Sequence, residues 1–292
     1  MGSQAATVSQ AVQVTGATAS TQAAVAIKPV TAGDLTPAND RYQACAAAQL
    51  ADLAAEVATI QSDLRRDDIA TAKQDWLAAQ LDWERVGASY DSFGDLGLAV
   101  DGLPDGYPGG VNDKDFTGLH RLEYGLWHGQ SAADLEQVTK TLAANVATVR
   151  KNLATDDLAG DPTNLPVRAH EILEDALRDH LSGMDDQGGG AAFAQTYADV
   201  QVTRAILGYL APLIDARQPG LVTTLTTELD TLDQALLATR APGAARVPPA
   251  NGAWTSLGAA SPSVREHVNA AIGAALESAA SVPDLLEVPP TH

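Results

Sequence analysis

Along most of the 292-residue chain, apolar residues recur at steps of three and four with polar residues between them, the spacing of a helix with one buried face. A first helix is expected from "TPAND", with Thr36 as cap and Pro37 in the first helical position, followed by Tyr42, Cys45, Leu53, Val57, Ile60 and Leu64 on one side. A second, capped by Asp67 or Asp68, carries Ile69, Ala72, Trp76, Ala79, Trp83, Val86 and Tyr90. The stretch from Asp91 to Gly118 is dense in Gly, Pro and Asp and reads as a long loop, of the kind that tends to carry function.

A third helix is expected near Asp115 or Thr117, and a fourth with Leu135, Val138, Leu142, Val146, Val149 and Leu153 facing one way. A fifth, from about Asn164, sets Val167, His170, Glu174, Leu177 and Leu181 on one stripe. After the glycine-rich break "SGMDDQGGG", helices are expected over roughly 191–216, 220–239 and 262–280, with "RAPGAARVPPANGAW" as a long connection. Residues 1–35, rich in Ala, Thr, Ser and Gln without sustained periodicity, read as a flexible tail or linker before an ordered part at 36–285. This is an all-α pattern, and it fits one elongated protein of two helical bundles with a weak seam near 183–190.

Composition supports that reading, since Ala and Leu dominate and aromatics are only 4%. Eighteen Lys and Arg against 37 Asp and Glu give a formal charge of −19, with no basic patch, which argues against a nucleic-acid partner. No stretch approaches the ~20 apolar residues of a membrane span, and "MGSQAATVSQ" lacks the basic and apolar regions of a signal peptide, as if an export signal had been removed. Cys45, the only cysteine, cannot form an internal disulfide and reads as a small buried hydrophobe.

Two ionisable residues interrupt the apolar face of "DFTGLHRLEYGLW". On a helix His120 and Glu123 project about 60° apart, near enough for an imidazole nitrogen and a carboxylate oxygen to reach one ion, with Leu119, Leu122 and Leu126 on the neighbouring core face. His-x-x-Glu alone is a weak signal. Glu174, expected to point inward, needs a positive neighbour: Arg121 or His170 in a plain ion pair, or a cation shared with His120 and Glu123. Glu84 on the second helix, with Asp95 and Asp101 in the loop, would complete an oxygen-rich site suited to iron or manganese and able to hold zinc or calcium. His128, His180, His267 and His292 read as surface or helix-end residues, and His170 as a packing or supporting one. No phosphate loop, nucleophile elbow or HExxH helix appears.

"TGLHRLEYGLW" resembles the His-x-x-Glu signature of the imelysin-like proteins, specifically the EfeO and EfeM periplasmic components of bacterial iron uptake, which read close to G-F-H-R-I-E-x-x-L-W. The resemblance continues through "WERVGASYDSFGDLGLAVDG" and "AHEILEDALRDHLSG", over roughly residues 40–240. It implies an all-helical fold of two four-helix bundles and a cation site in which His120 and Glu123 match the motif, Asp101 an acidic loop position, and Glu174 a later glutamate. Glu84 matches the first acid of an E-x-x-E pair whose second is Gly87 here, which implies fewer ligands or a shifted ion. The cupredoxin-like domain of full EfeO proteins has no counterpart, so the chain resembles the short EfeM type and no copper or oxidation chemistry is carried over.

The function expected is an extracytoplasmic protein, periplasmic or extracellular and associated with the cell envelope. It would capture Fe2+ or Fe3+, with zinc or another divalent cation also fitting, and pass it to a membrane iron permease. A peroxidase-type protein of the same system is a further expected partner. Iron binding should weaken below about pH 5 as the ligands take up protons. Two rivals stand beside this: a metallopeptidase, for which no separate general base is apparent, and a polysaccharide- or surface-binding module stapled by its ion.

Overall fold

The computed structural model describes residues 28–89, 92–240 and 254–290. Tyr90, His292, nearly all of the expected tail and most of the 240–254 connection fall outside these residues. The described chain is all-α. Its helices are α1 (Ala32–Arg65), α2 (Ile69–Glu84), α3 (Gly94–Asp101), α4 (Leu119–Trp127), α5 (Ala132–Asn152), α6 (Leu165–Asp175), α7 (Ala192–Asp215), α8 (Leu221–Leu237), α9 (Pro262–Ala279) and α10 (Ser281–Leu285). None is long and apolar enough to cross a membrane.

Helix α1 begins earlier than Thr36. Thr31 is its cap and forms a reciprocal capping box with Asp34, so Pro37 lies inside the helix and Thr36 turns its hydroxyl back to the Ala32 carbonyl at 3.0 Å. Two orphan amides satisfied at Thr31 outweigh the single backbone bond that Pro37 forfeits. Helix α2 starts as its sequence implies, with Asp68 accepting from the Thr71 amide. The Gly-rich stretch after it is more ordered than its composition indicates: α3 runs through it and ends at Asp101.

One hydrophobic cluster joins the elements before and after residues 183–190, from Val30 and Leu35 on the first helix to Ile272 and Leu286 near the carboxyl end. Helix α1 packs on α2, α5 and α7, α2 also packs on α4 and α7, and α7 also contacts α6 and α8. Cys45 is half-buried at the edge of this core rather than enclosed by it. Helices α2, α4 and α7 therefore meet around a shared interior, and the polar side chains turned into it define the site.

Candidate metal centre

Helix α4 is short and strongly two-faced, burying Leu119, His120, Leu122, Glu123 and Leu126 together. Two contacts fix where it starts. The Trp76 indole nitrogen donates to the Leu119 carbonyl at 3.0 Å, and Gly118 passes so near α3 that a Cβ would meet the Val100 carbonyl oxygen at 2.3 Å. His120 is thereby held 3% exposed, between two carboxylates. Its Nδ1 lies 3.0 Å from Glu123 Oε2 and its Nε2 3.4 Å from Asp101 Oδ1.

Glu123 is clamped from the other side. Its Oε1 accepts from the backbone amides of Gln187 at 3.0 Å and Gly189 at 2.7 Å. A side chain at 189 would occupy this space, since a Cβ there would stand 2.8 Å from Glu123 Oε1 and 2.7 Å from the Trp76 ring. The glycine-rich 183–190 segment, expected as a seam, is thus drawn into the site.

Glu84, at the end of α2, is buried beside them. The Gln80 amide nitrogen donates to Glu84 Oε1 at 2.8 Å and to Asp101 Oδ1 at 2.9 Å, drawing two carboxylates toward one point. Beyond Glu84 stands a second imidazole. A π turn, Ala176–His180, follows α6 and carries His180 into the interior, where it is 8% exposed. His180 Nδ1 pairs with Asp185 Oδ2, while Nε2 lies 3.0 Å from Asp199 Oδ2 on α7 and 3.8 Å from Glu84 Oε2. Gln195 joins the two carboxylate sets by donating to Glu84 Oε1 and Asp185 Oδ2, both at 3.2 Å.

Of the residues expected at the site, Glu84, Asp101, His120 and Glu123 converge. Glu174 does not join them: its side chain is 41% exposed and faces His170 Nδ1 at 3.4 Å, the plain ion pair that was one of its two expected outcomes. The reason is helical phase. The buried face of α6 runs through Ala169, Ile172, Leu173 and Ala176 and on to His180, about 100° from the stripe chosen through Val167 and Glu174, and Val167 is exposed. His180 was read as a surface or helix-end residue and is corrected to a central one, while His128 and His267 are indeed exposed. Asp185 and Asp199 belong to no local motif; the apolar stripe Ala169, Ile172, Leu173 and Ala176, which ends at His180, is the available signal. Asp95 is exposed. Gly87 has a φ of +75°, and a Cβ there would meet Val202 at 2.9 Å and Ile172 at 3.4 Å, an apolar neighbourhood.

Burial and mutual repulsion shape the charges. Burial opposes a charged His120, but Asp101 and Glu123 outweigh it and push the imidazole up to about 10. For His180 burial is likewise overcome, by Asp185 and Glu84, and it titrates well above the ordinary imidazole range. Glu84 is raised to about 7 by burial, with His180 pulling the other way, and Asp199 to about 7 by burial and the nearby Glu84. Burial also raises Asp101 and Glu123, whereas Asp185 is lowered because His180 outweighs its burial. Protons on the two imidazoles offset part of the charge of the five carboxylates, a role that a metal ion could also fill.

A helical scaffold thus brings carboxylates and imidazoles together in one interior. Comparison with known proteins places it further: residues 38–282 match the imelysin family (Peptidase_M75: Imelysin), and the chain belongs to that family. It is 24% identical over 200 residues to the iron uptake system component EfeM of Pseudomonas syringae pv. syringae (strain B728a), covering 68% of this chain and 69% of that protein. It is 24% identical over 195 residues to the iron uptake system component EfeO of Escherichia coli (strain K12), covering 67% of this chain. The matched region spans about half of that EfeO, 52% of its length.

Proposed function

We propose that this protein is the extracytoplasmic iron-binding component of a bacterial iron-uptake system, periplasmic or extracellular, which captures the ion in the helical interior and delivers it to a membrane permease. The observation that carries the reading is the convergence of His120, Asp101, Glu123 and Glu84 in one buried place, on a chain similar to iron uptake system components. Hard, oxygen-rich donors with an imidazole suit iron in either oxidation state. His120 Nε2 and Asp101 Oδ1 face the side on which Glu84 lies, and Glu123, anchored by two backbone amides, fixes the ring through Nδ1. The net charge of −19 would draw cations toward the protein.

Titration with ferrous and ferric iron at two pH values tests this. Affinity should fall about 10- to 100-fold in Glu123→Ala and at least as far in His120→Ala. Because Glu84 and Asp199 titrate near 7, binding should weaken as pH drops below neutrality rather than only below 5. Iron affinity unchanged in both variants would refute the reading. A peptidase reading, which the family's name carries, requires cleavage of a peptide substrate that is lost in His120→Ala.

A further inference from the structure

Among the described residues, Arg168 is the one Lys or Arg enclosed by the core, only 2% exposed. It shares the buried face of α6 with Leu165, Ala169 and Ile172, so the helix carries its guanidinium inward. There the guanidinium lies over the Tyr42 ring of α1, 4.6 Å from its centre, and Nη2 donates to the Leu158 carbonyl at 3.0 Å. Nε and Nη1 have no hydrogen-bond acceptor, and the Tyr42 hydroxyl, which feels the same charge, forms no hydrogen bond either.

No ion pair reaches Arg168 among the described residues. Glu171, one turn along α6, is turned instead to the Ser89 hydroxyl at 3.4 Å. In a chain with 37 acidic residues against 18 basic ones, a buried guanidinium without a carboxylate on it is unexpected. Burying a charge without its counter-charge is also strongly unfavourable.

A cavity of about 190 Å³ opens beside it. Arg168, Asn164 and the buried Ser89 and Ser92 give its wall donors, while Leu158 and Val167, 40% and 36% exposed, form an apolar margin. From this arrangement we propose that the cavity binds a small monocarboxylate, with the carboxylate on Arg168 and a short apolar tail between Leu158 and Val167. None of Glu84, Asp101, His120, Glu123, His180 and Asp199 lines this cavity, so the site stands independently of the iron reading.

The chemistry of the wall selects the ligand. A guanidinium meets a carboxylate through paired N–H groups, the strongest neutralisation open to Arg168. Glu171 is the only acid in the wall. Its like charge leaves room for one negative charge better than for two, which disfavours a phosphate dianion. The apolar margin would be idle around an inorganic ion and is covered by a hydrocarbon tail.

The test is titration of the full chain, carrying isotope-labelled arginine, with sodium isobutyrate, acetate and phosphate at constant ionic strength, with chloride as the balancing anion. Isobutyrate should saturate, shift the one arginine Nε–Hε resonance that is missing from Arg168→Met, and raise the melting temperature. Acetate should bind more weakly for want of a tail, and phosphate least. Val167→Asp sets a second acid at the exposed margin, in the first turn of α6 where a helix tolerates one. It should abolish isobutyrate binding, and it decides the matter should Arg168→Met fail to fold. Glu171→Gln should tighten isobutyrate severalfold. Phosphate binding more tightly than isobutyrate would overturn the carboxylate assignment, and saturation that survives Val167→Asp would overturn the position. No saturation with any of the three anions would overturn the site and leave Arg168 held by Leu158 and Tyr42 alone.

Discussion

The two buried histidines differ in how they are assembled. His120 obtains one partner, Glu123, from its own helix, and Asp101 from the helix before it, so most of its environment is written within about twenty residues. His180 draws Asp185 from the following loop, Glu84 from α2 and Asp199 from α7, and reaches them through a π turn. The same chemical unit, an imidazole between carboxylates, is thus encoded once as a motif and once only as tertiary structure. A motif search finds the first and passes over the second.

Raising the pH should have the largest effect on both assemblies. His120 titrates at about 10, above its ordinary 6.5, so its contribution to stability is complete below about 6.5 and is lost as pH rises through 10. Glu84 and Asp199, raised to about 7, stop contributing as pH climbs from their ordinary values through 7. All three act in one direction: the metal-free protein should lose a few kcal/mol of stability between about pH 5 and 10, seen as a falling melting temperature. His120→Gln should flatten the alkaline part of that profile and leave the share due to His180; an unchanged profile would show that the two imidazoles are not charged as described.

Gly189→Val separates the assemblies sterically. It crowds Glu123 and the Trp76 ring on the His120 side, and should cost about 1–3 kcal/mol in denaturant unfolding together with weaker iron binding. Trp76→Phe removes the donor to the Leu119 carbonyl together with part of a fully buried ring packed on Trp127, for an expected loss of about 1–3 kcal/mol. Glu174→Gln should change stability by less than about 0.5 kcal/mol and leave iron binding intact, because its half-exposed pair with His170 stands apart from both assemblies. A large loss of iron in that variant would restore Glu174 to the ligand set.

The fold was legible wherever periodicity was strong. Helices expected over 191–216, 220–239 and 262–280 appear as Ala192–Asp215, Leu221–Leu237 and Pro262–Ala279, because long apolar stripes leave one way to bury them. Local chemistry misled at two places. Thr31 competed successfully with Thr36 as a cap, and α3 formed inside a segment whose glycines argued for a loop. Among the ionisable groups gathered in the interior, Glu84, Asp101, His120 and Glu123 are marked by the resemblance, while His180 is not. Its helix offers two stripes about 100° apart, and which one turns inward depends on packing against α7. Burial of ionisable side chains was the harder feature to read, since hydropathy alone assigns them to the surface.

The segment between the π turn and α7 binds to both assemblies at once. Asp185 holds one imidazole, and four residues later the Gly189 amide holds the carboxylate that steadies the other. Lifting this short stretch away would deprive both rings of their orientation in a single movement, so the two halves of the cage share one latch.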